Sequence, residues 1–495
     1  MKTKKIYSYL PLIGIIFLMF SSAQGQPDVT LVTFPLNDYL KTENSIPFPV
    51  LNQQKFENFS TQSFVNVMNY GASGDGQKAD DSAIAASFAA CKPGSGVLFP
   101  KGKTFLIKHL IRIPLTHDFT VYADGAIFKM DTNTGYNAIA FEGNKNEYNY
   151  QVIWSGGSFD GNKDNQSWPG SPTGNNSWTL TQGNYGLLTI RSAKFALVRN
   201  VHLRNTVYDG IELHSCELGV IADCDAEGGA SLNYSRLKKE FGEGQQATYF
   251  KITRSRSKAA YFLNLTCKGG SIGIQYSSRP SNDSSLVIVN NCKCYNQSQD
   301  ALHFEICRKV FIYNSIIHSD NTIGYHPDIH ISNSCIIASI QNCKLENGRI
   351  DFRNAVGLKK GIVKNCQFIS SSSNQRDSSG AGMFVKNATH VINCNFEGWT
   401  KHEQVRAKYI SKCNFKNFRV ALTGVKLASE CTFSNGDTAI VASGNNATQE
   451  CIFNNVKNKP PLLQSKMDKN IIESLFTVNI KAVDDQGKFL GMVCQ

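Results

Sequence analysis

Two histidines, His303 and His330, sit inside short alternating segments, Leu302-His-Phe-Glu and Ile329-His-Ile-Ser. Successive side chains of a strand point to opposite faces, so both imidazoles are expected opposite the apolar pairs. The same reading of Ile211/Leu213, Phe250/Ile252, Ile272/Ile274 and Ile350/Phe352 as inward pairs gives two outward columns. One reads Glu212, Lys251, Gly273, His303, His330, Asp351; the other reads His214, Thr253, Gln275, Glu305, Ser332, Arg353. Asp209 and Asp300 stand in matching positions just before their strands. Histidines and carboxylates are the usual carriers of general acid and base chemistry, and a nearby cation neutralises an anionic substrate. The catalytic candidates are therefore His303, His330, Asp351, Arg353, Glu305, Asp300 and Asp209. Lys251, Glu212 and His214 are expected to bind substrate, with Trp168 and Trp178, whose rings offer flat faces for sugar stacking. No cofactor is called for and no metal ligands are assigned. A divalent cation such as calcium is the open alternative, with His303, His330 and a carboxylate as one ligand set.

Such columns exist only if the strands stack, and the cysteines indicate that they do. Nine of the fifteen follow a polar residue in a common pattern, and most carry an apolar residue two positions on. They are Cys224, Cys267, Cys292, Cys343, Cys366, Cys394, Cys413, Cys431 and Cys451. From Cys343 the spacings are 23, 28, 19, 18 and 20, and Ser315 fills the gap after Cys292. A recurring unit of about twenty residues with period-2 segments means a solenoid. Cysteine and phenylalanine two apart share a strand face, so stacked coils would form a ladder of buried thiols beside a ladder of rings. Parallel stacking does not aim consecutive thiols at each other. Disulfides are thus expected only in the remaining set, Cys91, Cys216, Cys294, Cys307, Cys335 and Cys494, one or two in number.

The repeats carry Val, Ile, Phe and Asn with Asn, Gly and Ser turns, and they lack helical periodicity. The expectation is an all-β fold, a right-handed parallel β-helix of about ten to twelve coils. Before it, Asp80 or Asp81 would cap a helix with Ile84, Ala85, Phe88 and Ala89 on one apolar face, covering the open edge of the first coil. The expected division is 1–25 signal peptide, 26–62 leader, 63–459 β-helix with 63–130 as its capping region, and 460–495 C-terminal cap.

Lys2, Lys4 and Lys5, the eleven apolar residues Leu10–Phe20 and the small residues after them read as a secretory signal, too short to span a bilayer. The protein is expected to be secreted, with no membrane anchor. Hydrophobic residues are 41% and charged residues 18%, which excludes a disordered chain. The net charge of +12 suits a polyanionic partner, and export disfavours nucleic acid, leaving an acidic polysaccharide.

The run VNVMNYGASGDGQKADDSAI (65–84), followed by GVLFPKGKTF (96–105), resembles the opening of the pectate-lyase-like right-handed β-helix superfamily. That superfamily includes polygalacturonases, rhamnogalacturonases and tailspike-type proteins. Gly156–Trp168 is similar to a polygalacturonase segment in which Gly-Gly precedes Asp-Gly and a tryptophan. Asn205-Thr-Val-Tyr-Asp-Gly-Ile-Glu-Leu resembles that family's Asn-Thr-Asp-Gly strand, which implies that Asp209 is the counterpart of a catalytic aspartate. The family's paired aspartates one coil later, its Gly-His-Gly turn and its Arg-Ile-Lys strand are not reproduced; Ala226-Glu-Gly-Gly and Arg349-Ile-Asp stand instead. The resemblance implies a glycoside hydrolase acting on an acidic, pectin-like polysaccharide. The mixed cationic column leaves a lyase or an epimerase open, and a non-catalytic glycan-binding β-helix is the other alternative.

Overall fold

The structure is a computed structural model that describes residues 63–458 and the hairpin strands Lys481–Val483 and Phe489–Met492. Within 63–458 it leaves out 135–136, 168–185, 231–246, 256–258, 279–284, 320–328, 333–334, 354–357, 359, 371–382, 399–402 and 442–446.

Thirty-nine strands join in one continuous, all-parallel sheet system. Several long strands near the C-terminal end serve two ladders, so the described residues make about fourteen coils, slightly more than the sequence spacing suggested. One ladder, the site sheet, runs from Ile111–Pro114 through Ile211–His214, Leu302–Glu305 and Ile350–Arg353. A second runs from Ser63–Asn66 to Ala447–Gln449, and the third from Asp75–Ala79 to Ile452–Asn458. The core is the tube between them, filled by the alternate apolar residues of each strand.

The polar residue before each core position is explained by the corner it occupies. Asn200, Asp223, Asn264, Asn291, Asn314, Asn342, Asn365 and Asn393, then Lys412, Glu430 and Glu450, all have φ between 50° and 54°. This left-handed region is costly for most side chains, and Asn and Asp enter it most readily. The asparagine amides also bond from coil to coil: Asn291 to Asn264 at 2.9 Å, Asn365 to Asn342 at 3.2 Å and Asn393 to Asn365 at 2.9 Å.

Directly after this corner comes the thiol column. Backbone bonds align Val201, Cys224, Leu265, Cys292, Ser315, Cys343, Cys366, Cys394, Cys413 and Cys431 in successive coils. Each thiol lies near the carbonyl two residues before it, as in Cys343 to Gln341 and Cys366 to Lys364, both 3.2 Å. Ser315 donates to Tyr313 in the same way at 2.7 Å. Cys267 is the one expected member that falls elsewhere. Leu265 holds its place, and Cys267 joins Cys294, Ile317, Leu345 and Phe368 in the neighbouring column. That column ends in a stack of Phe368, Phe396, Phe415, Phe433 and Phe453, with ring centroids 4.7–5.1 Å apart. The expected disulfides in the remaining set are not formed: Cys91, Cys216, Cys294, Cys307 and Cys335 are buried free thiols, and Cys494 lies outside the described residues.

The capping helix spans Asp81–Ala90. Asp80 precedes it but makes no side-chain cap; its buried carboxylate accepts from the Ser73 and Leu106 amides, tying the glycine-rich turn to a neighbouring coil. The buried face is Ala83, Ile84, Ser87 and Phe88, with Ala85 and Ala89 exposed, a rotation from the expected face. No helix of the described residues is long and apolar enough to cross a membrane.

Candidate functional site

Register on the site sheet is fixed by parallel pairing. Glu212 pairs with Lys251, Lys251 with Gln275, Gln275 with His303, His303 with His330, His330 with Asp351, and Asp351 with Lys386. The second column runs Arg191, His214, Thr253, Ser277, Glu305, Ser332, Arg353. One expected coil is therefore displaced by two residues: Gln275, not Gly273, lies in the histidine column, and Ser277 takes the place expected for Gln275. The cause is Tyr276, which fills the core with Ile274 where Ile272 and Ile274 were expected to.

The candidates collect into two groups. In the first, Asp209 is fully buried; its Oδ2 lies 2.7 Å from Lys251 Nζ and its Oδ1 accepts from the Thr248 amide at 2.9 Å. Glu212, also fully buried, has Oε1 3.3 Å from His214 Nδ1. Its Oε2 has no hydrogen-bond partner among the described residues, with Arg191 at 3.9 Å. The two carboxyls are driven apart electrostatically. Burial pushes Asp209 up to about 6, with Glu212 adding to the rise and Lys251 opposing it. Burial also opposes the charge on Glu212, but His214, Lys251 and Arg191 together hold it below the ordinary carboxylate range.

Three coils along, Asp300 is fully buried, and His303 and His330 are 3% and 6% exposed. Asp300 Oδ2 lies 2.6 Å from His303 Nδ1 and 3.6 Å from His330 Nδ1. The two rings meet edge to face, centroids 4.8 Å apart. On its other side, His303 Nε2 meets Glu305 Oε1 at 3.0 Å. Burial alone would lower the His303 pKa, yet Asp300 and Glu305 raise it to about 9. At Asp300, His303 and His330 together outweigh burial and hold its carboxyl far below the usual range. Asp351, one coil beyond His330, is buried and lies 3.7 Å from Lys386 Nζ.

Comparison with known proteins gives similar solved structures at low identity. No family model and no curated protein sequence matches the chain. Among solved structures it is similar to the Streptococcus pneumoniae surface adhesin PfbA, at 14% identity and TM-score 0.43, over 80% of this chain and 98% of that one. It is also similar to a family 28 exopolygalacturonase from Yersinia enterocolitica, at 14% identity and TM-score 0.41, over 81% and 79%. A third is the A-module of an Azotobacter vinelandii mannuronan C-5 epimerase, at 15% identity and TM-score 0.35, over 78% and 98%. The chemistry of this chain is argued from its own side chains.

The structure thus groups Asp209, Glu212, His214 and Lys251 at one end of the column, and Asp300, His303, Glu305, His330 and Asp351 at the other. The Arg353 backbone holds the expected register, while Trp168 and Trp178 lie outside the described residues. Arg191 and Lys386 complete the two groups, and neither was singled out in sequence. Both were within reach of the column reading: Arg191 closes the alternating segment Leu188-Thr-Ile-Arg, and Lys386 follows Phe384-Val385.

Proposed function

We propose that the chain is an exported carbohydrate-active enzyme that hydrolyses glycosidic bonds in a uronate-containing polysaccharide. In this reading Asp209 is the general acid and Glu212 the partner carboxylate. The observation that carries it is the buried pair itself: two carboxyls on one coil, one held by Lys251 and the Thr248 amide, the other facing His214 and Arg191, with Oε2 lacking a hydrogen-bond partner among the described residues. Two carboxyls whose environments push their pKa values apart are what acid and base roles require. Protonated Asp209 would give its proton to the departing glycosidic oxygen, and ionised Glu212 would take a proton from the water that adds to the anomeric carbon. Lys251 and Arg191 would face the substrate's carboxylates, as the net positive charge of the chain suits.

A second reading, a lyase or epimerase, is favoured by the second group, where two imidazoles stand next to lysine and carboxylate on the same face. The two readings separate in one assay on polygalacturonate and other uronate polymers. Hydrolysis releases reducing ends without absorbance near 235 nm, whereas elimination produces that absorbance. We expect the first result, abolished in Asp209→Asn and Glu212→Gln. Binding without either product would show a glycan-binding module instead.

A further inference from the structure

Asp300, His303 and His330 are more than the other polar positions of the face. Their ligand-capable atoms, one oxygen and two nitrogens, all lie within 4.8 Å of one another, and all three residues are buried. Asp300 Oδ1 and His330 Nε2 have no hydrogen-bond partner among the described residues, although Asp300 is fully buried and His330 only 6% exposed. A buried polar atom left unpaired is costly and demands an explanation. His303 supplies a further sign. One ring nitrogen faces Asp300 and the other meets Glu305 at 3.0 Å. Metal-ligating histidines characteristically give the far nitrogen to a carboxylate in this way, which fixes the ring and raises its basicity.

We propose that Asp300, His303 and His330 form a binding site for a divalent first-row transition metal, with Glu305 orienting His303. Two imidazoles and one carboxylate select zinc, manganese or iron(II); calcium and magnesium prefer oxygen alone. The ion would enter between the three groups, in place of the 2.6 Å contact between His303 Nδ1 and Asp300 Oδ2. Bonds of ~2.0–2.2 Å would draw the three ligands closer around it. Three protein ligands leave at least one position for water or a substrate oxygen. The site lies three coils from Asp209, ~14 Å at the spacing of parallel strands, and is independent of the assignment of the carboxyl pair.

The test uses the full secreted chain, stripped with chelator and titrated with zinc and, separately, cobalt(II). About one equivalent of zinc should bind, with release of protons to the buffer. Cobalt should give the visible spectrum of nitrogen and oxygen ligation. Asp300→Asn and His330→Gln should abolish the uptake, and Glu305→Gln should weaken it ~10–100-fold. His318→Ala, at a half-buried pair with Glu346, should leave it unchanged. Circular dichroism shows whether each variant is folded, and only folded variants are compared. Failure of the stripped protein to take up either metal would overturn the proposal. So would wild-type uptake by folded Asp300→Asn and His330→Gln, or a thiolate charge-transfer band from cobalt, which would place the metal among the cysteines.

Discussion

At Asp209 and Glu212 the proposed chemistry has a definite pH signature. Asp209 must be protonated to act as acid, so kcat/KM should fall as pH rises through about 6. Glu212 must be ionised, so activity should also fall on the acid side, below the ordinary carboxylate range. Lys251 favours the charged form of both carboxyls, and its removal raises both pKa values. In Lys251→Met, therefore, both limbs of the profile should move to higher pH; an unmoved alkaline limb would remove Asp209 from the acid role. Asp209→Asn and Glu212→Gln should each cost at least ~10²-fold in turnover. The residue types and the column were legible because the pleat alternates strictly: Ile211-Glu-Leu-His can present Glu212 and His214 only together. What the sequence could not show is that these outward groups are buried and paired. The Asp209–Lys251 contact joins residues 42 apart and depends on stacking that no local pattern encodes.

At the scale of the coil, the corner asparagines and the thiols are one device. The left-handed corner turns the chain inward, and the next side chain, usually cysteine, is small enough to sit against the carbonyl two residues back. Asn342 bonds both to Asn314 and to Asn365. Asn342→Ala should lose these bonds and strain the corner, for a total of about 2–3 kcal/mol in chemical unfolding. Asn342→Gly, which tolerates positive φ, should lose about 1 kcal/mol less than the alanine variant. The thiols of the column, Cys451 excepted, are buried, so a polar thiol reagent should label few of the fifteen cysteines until denaturant is added. Rapid native labelling of six or more would contradict the stacked core. The two slips in the sequence reading have one cause. A shift of two residues leaves every side chain on its proper face, so the apolar pattern accepts Cys267 for Leu265 and Gly273 for Gln275 equally well. The signal that fixes the first case is Asn264: it immediately precedes Leu265 as Asn291 precedes Cys292, and the corner, not the cysteine, sets the register.

Over the whole molecule, a stack in which each coil touches only its neighbours localises damage but needs its ends covered. Among the described residues, the first strand of the site sheet, Ile111–Pro114, pairs on one side only, with Ile139–Glu142. The helix Asp81–Ala90 packs against it and completes the end of the tube. Phe88 is the anchor, 3% exposed, with ring centroids 5.4 Å from Phe141, 5.9 Å from Phe119 and 6.3 Å from Phe99. Truncating a ring packed on three others leaves a cavity, so Phe88→Ala should cost about 3–5 kcal/mol. Phe88→Asp goes further, because a carboxylate cannot remain among those rings unpaired and the helix must lift. The bare strand edge then offers its amides and carbonyls to the next molecule. Light scattering should show concentration-dependent association of Phe88→Asp but not of Phe88→Ala. The remaining monomer should keep its activity, since the coils around Asp209 lie beyond those the helix touches. A monomeric Phe88→Asp with an unchanged melting temperature would mean that the helix is an ornament on the first coil and that the edge is protected by something else.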